Sequence, residues 1–167
     1  MREISRRRFV LATGAVAATG ALAGCSGNGN GGNGNGNGGN GNGNGGGGPT
    51  GTAETYLSDN EANTYESVQD MTGESEVTVS VGAGDSGFAF EPAGITVDAG
   101  TTVVWEWTGN GGGHNVSAEE DSDFEFESER TDEEGFTFEQ TFEESGAALY
   151  VCVPHRAQGM YGAVAVE

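Results

Sequence analysis

Glu76-Val77-Thr78-Val79-Ser80-Val81 alternates an apolar with a polar or charged residue for six positions. A period of two puts Val77, Val79 and Val81 on one face of an extended strand, and that pattern decides the fold class. Working outward, Ile95 and Val97 repeat it before an Asp98-Ala99-Gly100 turn, and Val103, Trp105 and Trp107 alternate with Thr102, Glu106 and Thr108. Phe124 and Phe126 flank Glu125, Phe136 and Phe138 flank Thr137, Tyr150 and Cys152 share a face, and Val164 and Val166 close the chain. Short strands punctuated by Gly, Asp and Pro predict an antiparallel β-sandwich or barrel, an all-β fold. Trp105 and Trp107 fit a buried strand face better than a redox relay.

The remaining composition limits what else the chain can be. Of 167 residues, 32 are Gly, and residues 27–48 contain only Gly and Asn, so that stretch brings nothing to a core. Residues 49–167 hold most of the aromatic and branched side chains, enough for one independent core. A multi-domain enzyme, a polytopic membrane protein and a disulfide-stapled miniprotein are excluded. Residues 54–72 are harder to place. Tyr56, Leu57, Tyr65, Val68 and Met71 suggest a loose apolar face on short helical turns, and the irregular spacing predicts a polar cover or linker extension.

There is no Lys, and Arg2, Arg6, Arg7 and Arg8 stand in the first eight residues. From Cys25 onward, Arg130 and Arg156 face 25 acidic residues, a net charge of −23. Such a surface repels polyphosphate, so no nucleic-acid partner is expected. It resembles halophilic proteins in general, whose charges are screened over a few ångströms at high salt. The acidic run from Glu119 to Glu134 lacks the ligand order of a calcium loop and reads as a solvated hairpin.

The first residues carry an address. Ser5-Arg6-Arg7-Arg8-Phe9-Val10-Leu11 resembles a twin-arginine export signal, and Leu22-Ala23-Gly24-Cys25 resembles a lipoprotein box in which Cys25 is acylated. The alternative is an ordinary secretory signal. The apolar run between is too short and too rich in Ala and Gly to span a bilayer. The Gly/Asn run that follows is a flexible tether of about 26 Å root-mean-square length, either a leash between partners or a plain spacer.

The chemistry concentrates in few residues. With Cys25 assigned to the anchor, Cys152 has no disulfide partner in the domain. His155 follows after two residues and Met160 after four more, in Cys152-Val153-Pro154-His155-Arg156-Ala157-Gln158-Gly159-Met160. The other histidine, His114, stands behind Gly111-Gly112-Gly113. Two imidazoles and one thiolate with a weak axial thioether make a type 1 (blue) copper set, in which soft donors hold Cu(I) and imidazole suits both oxidation states. Cys152 as an inert buried thiol and Met160 as core filler are the bland alternatives. Zinc is a further one, although a thioether is a poor zinc ligand. Pro154 stiffens the Cys–His turn, and Gly159 and Gly162 permit the return into the last strand.

Cys152-x-x-His155-x4-Met160 together with Gly113-His114-Asn115-Val116 is similar to the plastocyanin-type cupredoxins, over about residues 74–167. With the leader, the linker and the acidic surface, the resemblance narrows to membrane-attached copper proteins of halophilic archaea. It implies a cupredoxin-like Greek-key β-sandwich of about eight strands, one type 1 copper held by His114, Cys152, His155 and Met160, and electron transfer without substrate chemistry. Asn115 is then expected to bond across to the Cys152 loop, beside Pro154, and an Asn115 so packed excludes a glycan at the Asn115-Val116-Ser117 sequon. The family usually has an aromatic residue where Ala148 stands, and often a surface aromatic where Val151 stands. That leaves the outer edge of His155 as the expected electron route, with Ala157, Met160 and Tyr161 as an apolar docking rim.

The organisation expected is therefore a twin-arginine signal with lipobox over residues 1–24, lipidated Cys25 and a disordered linker over 25–48, an extension over 49–74, and the blue copper domain over 75–167. The expected partners are redox proteins that donate and accept electrons, and the outer face of the cytoplasmic membrane through the lipid; a monomer is expected. A copper-delivery protein is the alternative, but it would favour exposed Met- or His-rich clusters. A copper enzyme would need a second metal site, and no spare His exists to build one.

Overall fold

The computed structural model describes residues 47–167. The twin-arginine motif, Cys25 and nearly all of the Gly/Asn run lie outside the described residues. The chain forms α1 (Pro49–Asp59), β1 (Gln69–Asp70), β2 (Glu76–Ala83), β3 (Ala89–Glu91), β4 (Gly94–Val97), β5 (Thr101–Trp107), β6 (Ser117–Ala118), β7 (Thr137–Phe142), β8 (Gly146–Val151), a 3-10 segment (Val153–Gln158) and β9 (Tyr161–Val166). One sheet has the order β1-β4-β9-β8-β6 and the other β3-β2-β5-β7. This is the expected two-sheet sandwich.

The sheets are mixed, not antiparallel throughout. β2 runs parallel to β5, and β4 runs parallel to both β1 and β9. The other pairs, β2–β3, β5–β7, β6–β8 and β8–β9, are antiparallel. Alternation along a strand reports which face is buried but carries nothing about the direction of its neighbour. Phe124 and Phe126 also depart from expectation, because no strand forms there. Their rings lie over Phe142 (4.9 Å between centroids) and Trp105 (5.6 Å), while the backbone pairs only through single bridges at Ser117–Glu127 and His114–Thr131. Their alternation therefore reflects packing onto the core without a ladder.

Two apolar cores result. Between the sheets lie Val77, Val79, Val81, Phe90, Ile95, Trp105, Trp107, Phe142 and Tyr150, with Cys152 and Met160 at one end. The second core holds Ala147, Leu149, Val151, Ala163 and Ala165 from the outer faces of β8 and β9, covered by Ala53 and Leu57 of α1. Both faces of β8 and β9 are buried, which explains their unbroken apolar sequences. Residues 49–59 thus form a helix that closes a core, where a polar cover or linker extension was expected. Pro49 suits its first turn, and Gly94 lets it approach, since a Cβ there would stand 2.6 Å from Leu57 Cδ1. Among the described residues no helix is long and apolar enough to cross a membrane.

Candidate metal centre

Cys152 directly follows β8, Met160 immediately precedes β9, and the 3-10 segment between them carries His155. The loop is closed by its own backbone. Cys152 N–H donates to Met160 O at 3.0 Å, His155 N–H to Cys152 O at 3.0 Å, and Met160 N–H to His155 O at 3.3 Å. Gly159 turns the chain at φ 81°, in the left-handed region that suits glycine. Gly162 is needed for a different reason from the tight return expected of it: a Cβ there would collide with the ring of Tyr150.

His114 comes from the connection between β5 of one sheet and β6 of the other. Its backbone exchanges two hydrogen bonds with Thr131, at 2.9 and 3.0 Å, and its carbonyl accepts Trp107 Nε1–H at 3.3 Å. Its Nε2 lies 2.7 Å from Asn110 O, so Nε2 carries the proton and Nδ1 keeps its lone pair for the interior. Gly111 and Gly82 leave space for that arrangement. Both have positive φ, and a Cβ on either would stand 3.0–3.2 Å from His114 Nε2.

Three donor atoms converge. Cys152 Sγ lies 3.5 Å from His114 Nδ1 and 3.4 Å from His155 Nδ1, and the two Nδ1 atoms are 3.0 Å apart. The point equidistant from all three is about 1.9 Å from each, close to the zinc–nitrogen and zinc–sulfur bond lengths of about 2.0–2.3 Å. The three residues form the metal-capable cluster found among the described residues. Met160, five residues after His155, is fully buried in the same core cluster as Cys152. Two imidazoles, a thiolate and a thioether in this arrangement fit a type 1 copper site.

The electrostatics keep the two imidazoles in their neutral, ligating form, while burial favours the protonated Cys152 thiol. Burial holds the pKa of both imidazoles below the usual histidine value; the neighbouring His114 and the Arg130 charge act in the same direction on His155. Burial pushes the Cys152 thiol up, opposed by the Asn115 and His155 backbone amides facing the sulfur and by Arg130. Arg130 reaches this position by donating Nε–H to Gly113 O at 3.2 Å. Arg156 is instead paired with Glu119 at 2.6 Å.

Asn115 Oδ1 accepts Val153 N–H at 2.9 Å, which ties the His114 segment to the Cys152 loop. Asn115 is buried, as a residue closed to a glycan would be. Pro154, half-buried, stands in the first turn of the 3-10 segment. The expected docking rim needs correction. Met160 and Tyr161 are buried, turned into the two cores, and only Ala157 of the three is exposed. The apolar groups beside the half-buried His155 are Val153, 52% exposed, and Phe88, whose ring lies 4.6 Å from the imidazole. Val151, where a surface aromatic would stand, is covered by α1. Phe88, Asn110 and Gly82 were not anticipated: a backbone carbonyl leaves no mark in sequence, although Gly82 and Gly111 did offer a glycine signal.

Comparison with known proteins agrees with this site. The family model described as copper binding proteins, plastocyanin/azurin family, matches residues 77–167. Halocyanin of Natronomonas pharaonis is 64% identical over 168 residues, 100% of both chains. Plastocyanin of Scenedesmus fuscus is 31% identical over 98 residues, 55% of this chain and 100% of its own. Among solved structures, the oxidized plastocyanin of Dryopteris crassirhizoma aligns with a TM-score of 0.45 at 24% identity, over 55% of this chain and 100% of that one. The chain belongs to the plastocyanin/azurin family of copper-binding proteins, the blue copper electron carriers.

Proposed function

We propose that this protein is a membrane-anchored electron carrier, held through a lipid on Cys25 at the outer face of the cytoplasmic membrane after twin-arginine export. It works as a monomer and passes single electrons between redox proteins. His114, Cys152, His155 and Met160 would hold the copper, which when bound supplies a one-electron change between Cu(I) and Cu(II). The observation that carries the reading is the convergence of the two Nδ1 atoms and Sγ within 3.5 Å of one another.

The chain's own residues do the rest. Both sheets and the Asn115 tie hold the donors in place, so little must move when the charge of the site changes. Burial of Cys152, His114 and Met160 excludes water. His155 alone presents an edge, framed by Phe88 and Val153, and a redox partner would approach there. Ligands so enclosed suit a resident metal better than one released to a recipient, which argues against copper delivery.

The anchor fits the same picture. Thr50 bonds Glu167 at 2.8 Å and lies 3.2 Å from Thr96, so the described chain enters the domain beside the end of β9. The six residues of β9 separate that end from Met160, about 20 Å along a strand. The described chain thus begins at the end of β9 distant from Met160.

Loading with Cu(II) in high salt and recording the visible and spin-resonance spectra tests the site, with Cys152→Ser as control. An intense band with narrow hyperfine splitting, lost in the control and bleached by mild reductant, is the expected result; a pale, ordinary copper spectrum overturns it. Membrane fractionation of the wild type against Cys25→Ala tests the anchor, and equal solubility of the two overturns that part.

A further inference from the structure

The segment that leads from α1 into β1 does more than connect them. Asn63 N–H donates to Gly159 O at 2.9 Å, and its Nδ2 donates to Gln158 O at 2.6 Å and to Phe88 O at 2.8 Å. Gln158 and Gly159 lie between the ligands His155 and Met160, and Phe88 is the residue whose ring lies against His155. A single side chain outside the matched family region thus joins both elements that confine the exposed ligand.

The backbone around it is held in an unfavourable shape. Glu61 (φ 48°) and Thr64 (φ 63°) are the two non-glycine residues with positive φ among the described residues, and they bracket Asn63. For a β-branched threonine that conformation is costly, and it persists only where the surroundings fix it. Thr64 Oγ1 donates to Phe90 O at 3.1 Å, and Ala62 N–H to Leu57 O at 3.0 Å, so the strained turn is bolted to β3 on one side and to α1 on the other. Strain is retained where it presents a group, and the group presented here is the Asn63 amide.

We infer that Asn63 is a positioning residue for the copper site: it clamps the His155–Met160 loop to the Phe88 loop and so fixes the ligand that faces the partner. Segment 49–65 is a brace of the metal centre as well as a lid on the second core. The loop's other side-chain ties lie elsewhere along it, at Val153 to Asn115 and at Arg156 to Glu119. Losing the clamp frees His155 to move with the metal's charge, and also opens a path for the metal to leave.

The test compares copper-loaded wild type, Asn63→Ala, Asn63→Asp and Thr50→Val. Thr50→Val cuts the remote contacts to Thr96 and Glu167 without touching the loop, and so reports a general loosening of α1. Asn63→Asp is isosteric and keeps the fold should the alanine variant not express, but it turns a donor into an acceptor facing two carbonyls. Copper release to a chelator is expected to accelerate about tenfold or more in both Asn63 variants, the scale for residues that orient metal ligands, and to stay within about twofold in Thr50→Val. The electron self-exchange rate, read by line broadening in mixtures of the two oxidation states, should fall in the Asn63 variants alone. Release and self-exchange rates matching wild type, or shifted as much by Thr50→Val, would overturn the inference. A wild type lacking the blue band would overturn the copper assignment instead, so the two failures are distinct.

Discussion

Asn115 Oδ1 accepts the Val153 backbone N–H at 2.9 Å, and the residue preceding each in sequence is a ligand: His114 stands before Asn115 and Cys152 before Val153. One bond therefore locks together the two chain segments that supply the donors. Neither segment can shift far without breaking it, because the Val153 backbone and the Asn115 side chain that make it each stand directly beside a ligand.

Asn115→Ala removes that lock and leaves the part-buried Val153 amide to water. The apo-protein should lose about 1 kcal/mol of stability, the net worth of one hydrogen bond. Copper release should accelerate about tenfold or more. Denaturant unfolding of the apo-protein and chelator competition of the loaded protein measure the two effects separately. An unchanged release rate would show that the loop holds its shape without the bond.

Gly82→Ala tests the space around His114. A Cβ at that position would stand 2.6 Å from Asn110 O and 3.2 Å from His114 Nε2, and φ is +85°. The positive φ alone costs about 1–3 kcal/mol. The displaced Asn110 carbonyl would release the imidazole proton that keeps Nδ1 facing Cys152. The expected outcome is a stability loss together with a broadened blue spectrum, whereas a stability loss with an unaltered spectrum would show that the Asn110 contact does not set the ring.

Leu57→Ala separates the second core from the metal. Leu57 is fully buried against β8 and β9 in the cluster that α1 completes. Deleting three buried carbon atoms should cost about 2–5 kcal/mol. The copper spectrum should survive in the folded fraction, because Leu57 touches the outer sheet face and not the ligand face. Thermal unfolding and visible absorption of the same sample give both readings.

These sites divide by how far their chemistry shows in the sequence. The ligands were legible because the domain has two His and one Cys, so scarcity alone pointed to His114, Cys152 and His155. The strands with a clean alternation, β2 and β5, were legible because one face meets the core and the other meets water. The two-residue β1 and β6 are too short to hold a period, and β3 has two buried neighbours, Ala89 and Phe90, that break one. The burial of α1 was hidden because it rests on Gly51, Ala53 and Leu57 in an otherwise polar helix, where two of the three buried residues are too small to register as apolar. Asn63 was invisible for a deeper reason: its partners are all carbonyl oxygens, which every residue has.

The imidazoles make a pH prediction for the apo-protein. Burial sets the pKa of His114 and His155 below the usual value of 6.5, so the unfolded chain binds more protons as pH falls past that value. Stability must then drop as pH falls from 6.5 towards the folded-state values, and the loss levels off below them. Carboxylate titration adds its own slope, so the comparison is with the double variant His114→Gln/His155→Gln. Wild-type apo-protein should lose more stability than the variant between pH 7.5 and 5.5 in denaturant titrations at fixed high salt. Parallel curves would show that the folded state does not favour the neutral rings.

Tyr150 makes the last and least intuitive case. Its ring is fully buried, 4.9 Å from Phe90 and 5.3 Å from Trp105 between centroids, and its backbone carbonyl accepts the Tyr56 hydroxyl at 3.0 Å. Its own hydroxyl makes no hydrogen bond of good geometry, and neither does the buried Trp105 Nε1, although the two groups interact. The phenol pKa is pushed far above its usual range, chiefly by burial. Tyr150→Phe therefore keeps every ring contact and the Tyr56 bond while removing a polar atom that burial penalises. Stability should hold or rise by about 1 kcal/mol, since an unpaired buried hydroxyl costs about 1–3 kcal/mol. Tyr56→Phe, by contrast, removes a made bond next to Glu119 and should cost about 1 kcal/mol. Denaturant unfolding of both variants decides the matter: a loss of more than about 1 kcal/mol in Tyr150→Phe would mean that the hydroxyl is paired in solution, with Trp105 or with a buried water.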